Sequence, residues 1–89
     1  MTEVIVTLGI DLQARVASAF VQVANRFESK ISLIKDHRVI DAKSIMGVMS
    51  LGIRKGTEVL IRAEGSDAPE ALIFLQNFCQ QVLCLFHLN

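Results

Sequence analysis

The sequence predicts an α+β fold with three helices on one face of a largely antiparallel four-stranded sheet. Three observations lead there. Short runs such as Glu3 to Leu8 alternate apolar and polar residues at the two-residue period of a half-buried strand, whereas Ala17, Phe20, Ala24 and Phe27 recur at helical spacing. Two extended runs flank the polar Asp36-His37 pair as the arms of a hairpin do. Taken in order, the segments read β-α-β-β-α-β-α. Each sheet face and helix stripe must bury its apolar side against another layer, which favours helices gathered on one side of the sheet.

The elements follow along the chain. A strand covers Glu3 to Leu8, Gly9 to Leu12 turn, and a helix runs from about Ala14 to Phe27. Lys30 to Lys35 and Arg38 to Asp41 form the hairpin. Ser44, a preferred N-cap residue, starts a short helix, after which Gly52 and Gly56 punctuate the route into a strand from Thr57 to Ala63. Ser66 or Asp67 can cap a last helix beginning near Pro69, since proline suits a first helical turn. Leu72, Leu75, Cys79, Val82 and Phe86 make its core stripe. Ile73 and Phe74 fall outside the centre of that stripe, which leaves an oligomer contact open beside ordinary core packing. Gln76-Asn77 and Gln80-Gln81 interrupt the apolar tail well short of a membrane span.

Composition narrows the function. The 89 residues suffice for one domain spanning 1–89, with a shallow core and no long cleft. Nine basic and nine acidic residues cancel, which argues against a broad electrostatic footprint for nucleic acid, so any effect on transcription must pass through a protein partner. Met1-Thr2-Glu3 does not open a secretory signal, and a cytoplasmic protein is expected. Cys79 and Cys84 sit about 140° apart on the last helix. Without clustered histidines they suggest neither a metal site nor a disulfide; Cys79 reads as a buried small hydrophobe and Cys84 as an exposed thiol.

The stretch from Lys43 to Gly52 carries the most information. At about 100° per residue, Val48 and Leu51 fall on one side of its helix, while Ile45, Met46 and Met49 cluster on another. A single core cannot cover both sides, and methionine suits an adaptable contact surface. The residues alone allow two readings: a docking helix that opens on a modifiable hydroxyl, or a capped helix sunk in the core.

Lys43-Ser44-Ile45-Met46-Gly47-Val48-Met49-Ser50-Leu51-Gly52 resembles the regulatory serine motif of the HPr family, the small phosphocarriers of the bacterial sugar phosphotransferase system, in its Gram-positive form. Leu12-Gln13-Ala14-Arg15-Val16-Ala17 stands where that family carries Gly-Ile-His-Ala-Arg-Pro-Ala, and Lys55 to Val59 extends the likeness. The resemblance covers nearly the whole chain and implies an open-faced β-sandwich. Gln13 occupies the place of the phosphorylated histidine, as in the catabolite-repression branch of the family. An imidazole nitrogen can accept and release a phosphoryl group; an amide nitrogen has its lone pair delocalised, so Gln13 can recognise phosphate but not relay it. His37 lies in a polar turn and His87 near the C-terminus, and neither supplies the missing carrier.

The resemblance therefore implies a protein that is not an enzyme and needs no cofactor or metal. It implies phosphorylation of Ser44 by HPr kinase/phosphorylase, after which the chain acts as corepressor of catabolite control protein A. Ile45, Met46 and Met49 would give apolar contact, with Arg15 pairing an acid on the regulator and Gln13 beside it, both near Ser44. Asp11 and Val16 depart from the family's glycine and proline: aspartate reaches left-handed backbone at a cost, and valine keeps its N–H. Two alternatives remain, a divergent phosphocarrier using Asp11 as acceptor and an assembly module that has lost regulation.

Overall fold

The computed structural model describes residues 1–87, with side chains described for 1–80. The expectations for the side chains of Val82, Cys84, Phe86 and His87 lie outside those described residues. Seven elements occur in the anticipated order: β1 (Thr2–Thr7), α1 (Ala14–Ala24), β2 (Lys30–Lys35), β3 (Arg38–Asp41), α2 (Ile45–Ser50), β4 (Glu58–Glu64) and α3 (Ala68–His87). The strands pair antiparallel throughout, in the order β1-β4-β2-β3.

Register explains which side of the sheet is buried. Val4, Ile61, Leu33 and Ile40 face one another across all four strands. Their side also carries the buried Val6, Val59, Ala63 and Ile31. Because side chains alternate, the next row, Ile5-Leu60-Ile34-Val39, falls on the open face, where Ile5 and Val39 are exposed. Helices cover the first side. Phe20 of α1 is fully buried and meets Phe78 of α3 edge to face at 6.0 Å. Burying such a ring stabilises the fold by about 1.5–3 kcal/mol. Asp36 and His37 both have positive φ, 50° and 68°, as the right-handed strand twist asks of a two-residue hairpin loop.

Several boundaries differ from the sequence reading. The first strand is Thr2–Thr7 rather than Glu3 to Leu8, though Leu8 still donates its N–H to the Thr57 carbonyl at 3.0 Å. The fourth strand runs Glu58–Glu64 rather than Thr57 to Ala63. α1 stops at Ala24, three residues before Phe27: the Asn25 backbone N–H closes the last helical bond to the Val21 carbonyl, and its side-chain amide caps the same oxygen, each at 2.9 Å. Arg26 and Phe27 then close three-residue turns on Val23 and Ala24. Phe27 thereby leaves the helical stripe and stacks at a tilt on Phe74, 5.7 Å between centroids.

α3 begins at Ala68, with the Asp67 carbonyl receiving the Ala71 N–H at 2.9 Å, so Pro69 lies inside the first turn, where its missing N–H costs nothing. The expected Asp67 cap is redirected across the fold. Its carboxylate accepts from the Glu28 N–H at 2.9 Å, the Ser29 N–H at 3.0 Å and the Ser29 hydroxyl. Those bonds, the Ser29 hydroxyl foremost, hold the carboxyl below its ordinary pKa of 3.8. Cys79 is fully buried, as its stripe position predicted.

Candidate functional site

Ser44 is extended, with φ −108° and ψ 116°, and its hydroxyl oxygen accepts the Gly47 N–H at 3.1 Å while its carbonyl accepts Val48 N–H at 2.9 Å. Ser44 thus caps the helix start through both its side chain and its carbonyl. The same helix divides sharply: Val48 is 0% exposed and Leu51 buried, whereas Met46 is 81% exposed, Met49 44% and Ile45 41%. Among the two readings open from the residues, the helix is not sunk in the core.

α2 is too short to persist alone and is tied to its surroundings. At its start, the Lys43 ammonium donates to the Phe27 carbonyl at 2.7 Å, and the Asn25 amide reaches the Lys43 carbonyl at 3.4 Å. Beyond its end, the Ile53 carbonyl accepts the Leu12 N–H at 2.9 Å. α2 therefore runs back along α1, with Ser44 beside the C-terminal end of α1 and Gln13 at the other end. The expectation that Gln13 and Arg15 lie beside Ser44 is corrected: the candidate residues form a strip, from Ser44 past Met46 and Met49 towards Gln13 and Arg15. An intervening eleven-residue helix measures about 16 Å, which sets the length of that strip.

Close packing beneath the strip depends on Gly47. A Cβ there would stand 2.7 Å from Ile40 Cγ2 and 3.3 Å from the Ser44 hydroxyl oxygen, so only glycine lets α2 settle on β3 at this distance.

The loop before α1 and the first turn of that helix absorb both departures from the family pattern. Asp11 does not take left-handed backbone; its carboxylate receives the Lys55 N–H at 2.7 Å and ties the loop to the turn before β4. The positive φ falls on Ala14, at 48°. Val16 uses the N–H a proline would lack, donating to the Gln13 carbonyl at 3.0 Å, and its side chain is buried. Gln13 and Arg15 are exposed, and the Gln13 side chain makes no capping bond. His37 is exposed at the hairpin tip. Among the described residues no group of three His, Cys, Asp or Glu side chains could hold a metal.

Sequence reasoning missed Lys43, Gly47, Arg38 and the long reach of Asp67. Only Gly47 left a signal, a glycine inside a helical motif.

A profile of the family described as PTS HPr component phosphorylation site matches residues 1–81. The chain belongs to the HPr family. Its members are phosphocarrier proteins rather than enzymes. The HPr-like protein Crh of Bacillus subtilis is 51% identical over 76 residues, 85% of this chain and 89% of the relative. In three dimensions, HPr from Thermoanaerobacter tengcongensis superposes with a TM-score of 0.85 at 42% identity, covering 91% of this chain and 93% of that one. Crystalline B. subtilis Crh superposes at 0.75 and 49% identity with the same coverage; it is described as a dimer built on a swapping domain. Such neighbours share the four-stranded antiparallel sheet and three helices found here, and the Crh relatives point to an HPr-like regulatory role.

Proposed function

We propose that this chain is a regulatory phosphoprotein of carbon catabolite repression. HPr kinase/phosphorylase transfers phosphate from ATP to the Ser44 hydroxyl and later removes it, and the phosphorylated chain binds catabolite control protein A as corepressor. One observation carries the reading: a half-exposed hydroxyl opens a helix that leaves Ile45, Met46 and Met49 uncovered, while the position of the carrier histidine holds the amide of Gln13. Phosphate adds about 1.5 to 2 negative charges and three acceptor oxygens, enough to engage basic side chains of a partner. Ile45, Met46 and Met49 supply the apolar contact, and Arg15 with Gln13 the polar end of the strip. The cytoplasm, where ATP and the regulator reside, is the proposed site of action; among the described residues no helix is long and apolar enough to cross a membrane. Self-association by exchange of a chain segment, as in the crystalline Crh relative, is part of the same proposal.

A divergent phosphocarrier would need Asp11 as acceptor, yet that carboxylate is engaged with the Lys55 N–H. The two activities separate in one experiment. The protein is incubated with the serine kinase and ATP, and separately with the phosphotransferase chain and phosphoenolpyruvate, and phosphate is located by mass spectrometry. Label on Ser44 from ATP and none from phosphoenolpyruvate is expected. Full kinase labelling of Ser44→Ala overturns the site, and stable label from phosphoenolpyruvate restores the carrier.

A further inference from the structure

β3 runs beneath α2, and two residues one strand period apart meet two residues about one helical turn apart. Ile40 lies under Gly47; Arg38, two residues earlier on the same side of the strand, reaches Ser50, three residues later in the helix. Nη1 of Arg38 donates to the Ser50 carbonyl and Nη2 to the Ser50 hydroxyl oxygen, both at 3.2 Å. That hydroxyl gives its one proton to the Gly47 carbonyl at 2.6 Å, leaving its lone pairs for the guanidinium. The resulting relay satisfies carbonyls that the last turn of a helix leaves without intrahelical partners, and it sets a cation where the helix dipole is negative. Lys35, paired opposite Arg38 across the hairpin, turns instead towards Asp36 at 3.8 Å, which separates two like charges.

This arrangement bears on the docking strip. Six residues do not make a stable helix, and α2 buries only Val48 within its span while turning Ile45, Met46 and Met49 outward. Ser44 and Lys43 secure one end. We propose that Arg38 is a positioning residue that secures the other, holding the C-terminal half of α2, and with it Met49, in the shape the phosphorylated chain presents to its regulator. The inference rests on the function proposed above. Arg38 acts through Ser50 and Gly47 rather than by touching the partner.

The test uses Arg38→Met, which keeps the aliphatic stem, and Arg38→Lys, whose single ammonium can serve one of the two acceptors. Hydrogen exchange at the amides of Val48, Leu51 and Gly52 reports α2 directly, with the Leu8 backbone amide, bonded to the Thr57 carbonyl, as a reference outside it. The Ser44-phosphorylated proteins are titrated in parallel with catabolite control protein A. Loss of a charge-assisted pair predicts exchange at the α2 amides faster by about tenfold and a comparable loss of affinity in Arg38→Met, with Arg38→Lys between it and the wild type. In a Ser50→Ala background the Arg38→Met effect should shrink, because the two residues act as one unit. Weakened binding with unchanged α2 exchange would mean direct contact with the regulator and overturns the inference, as does faster exchange with unchanged affinity. A wild-type phosphoprotein that fails to bind overturns the functional reading itself, and this inference with it.

Discussion

Gly47 shows how one missing methyl group sets both a packing distance and a reactive surface. Replacing it by alanine gains about 1 kcal/mol of helix propensity but forces a Cβ to 2.7 Å from Ile40 Cγ2, an overpacking that costs about 1–3 kcal/mol. The clash wins, so Gly47→Ala should lower stability by about 1 kcal/mol, read as a drop in denaturant midpoint with unchanged slope. Crowding of the hydroxyl should also slow kinase labelling of Ser44. In an Ile40→Ala background, which removes the nearest obstacle, Gly47→Ala should cost less stability than in the wild type; an unchanged cost would show that the strain lies elsewhere. The Ser44 cap was legible in the sequence because its partner lies three residues away. Arg38 and Asp67 were not, since their partners lie 12 and 38 to 39 residues off and no local rule connects them.

At the scale of elements, α2 is the piece whose two sides do different work. Met46→Ala should change the melting temperature very little, because a surface truncation is worth less than about 0.5 kcal/mol. The same change should weaken binding of the phosphorylated chain to its regulator by about 1–2 kcal/mol. Val48→Ala, by contrast, opens a hole in the core and serves as the internal control. Calorimetry and titration on both variants check the contrast; a large loss of stability in Met46→Ala with unaltered affinity would remove α2 as a docking element. The alternation of β1 and β4 and the split of α2 could be read from periodicity alone. Where α1 stops could not, because the Asn25 side chain caps it and its redirected continuation is fixed by Phe74 and Lys43 from distant parts of the chain.

For the molecule as a whole, the buried thiol of Cys79 gives a pH signature. Burial pushes it from its ordinary 9.0 up to about 12, since the fold offers a thiolate no solvation. Above pH 9 the unfolded chain releases this proton and the folded chain does not, so stability present at neutral pH is lost as pH rises towards 12, by about 1.4 kcal/mol per unit. The chain has no tyrosine, which keeps this window free of phenol ionisation. Cys79→Ala should be less stable at pH 7 yet show a shallower alkaline decline; parallel denaturant curves from pH 8 to 11 for the two proteins decide it. The sheet order has a consequence in time. β1 is made first, but its mate β4 pairs Thr2 with Ala63, some sixty residues later in synthesis. At about 5–20 residues per second the first strand waits roughly 3–12 s for its own partner. During that interval β1 has no partner within its own chain, and a neighbouring chain whose own β1 has come away from β4 offers it the same ladder of hydrogen bonds.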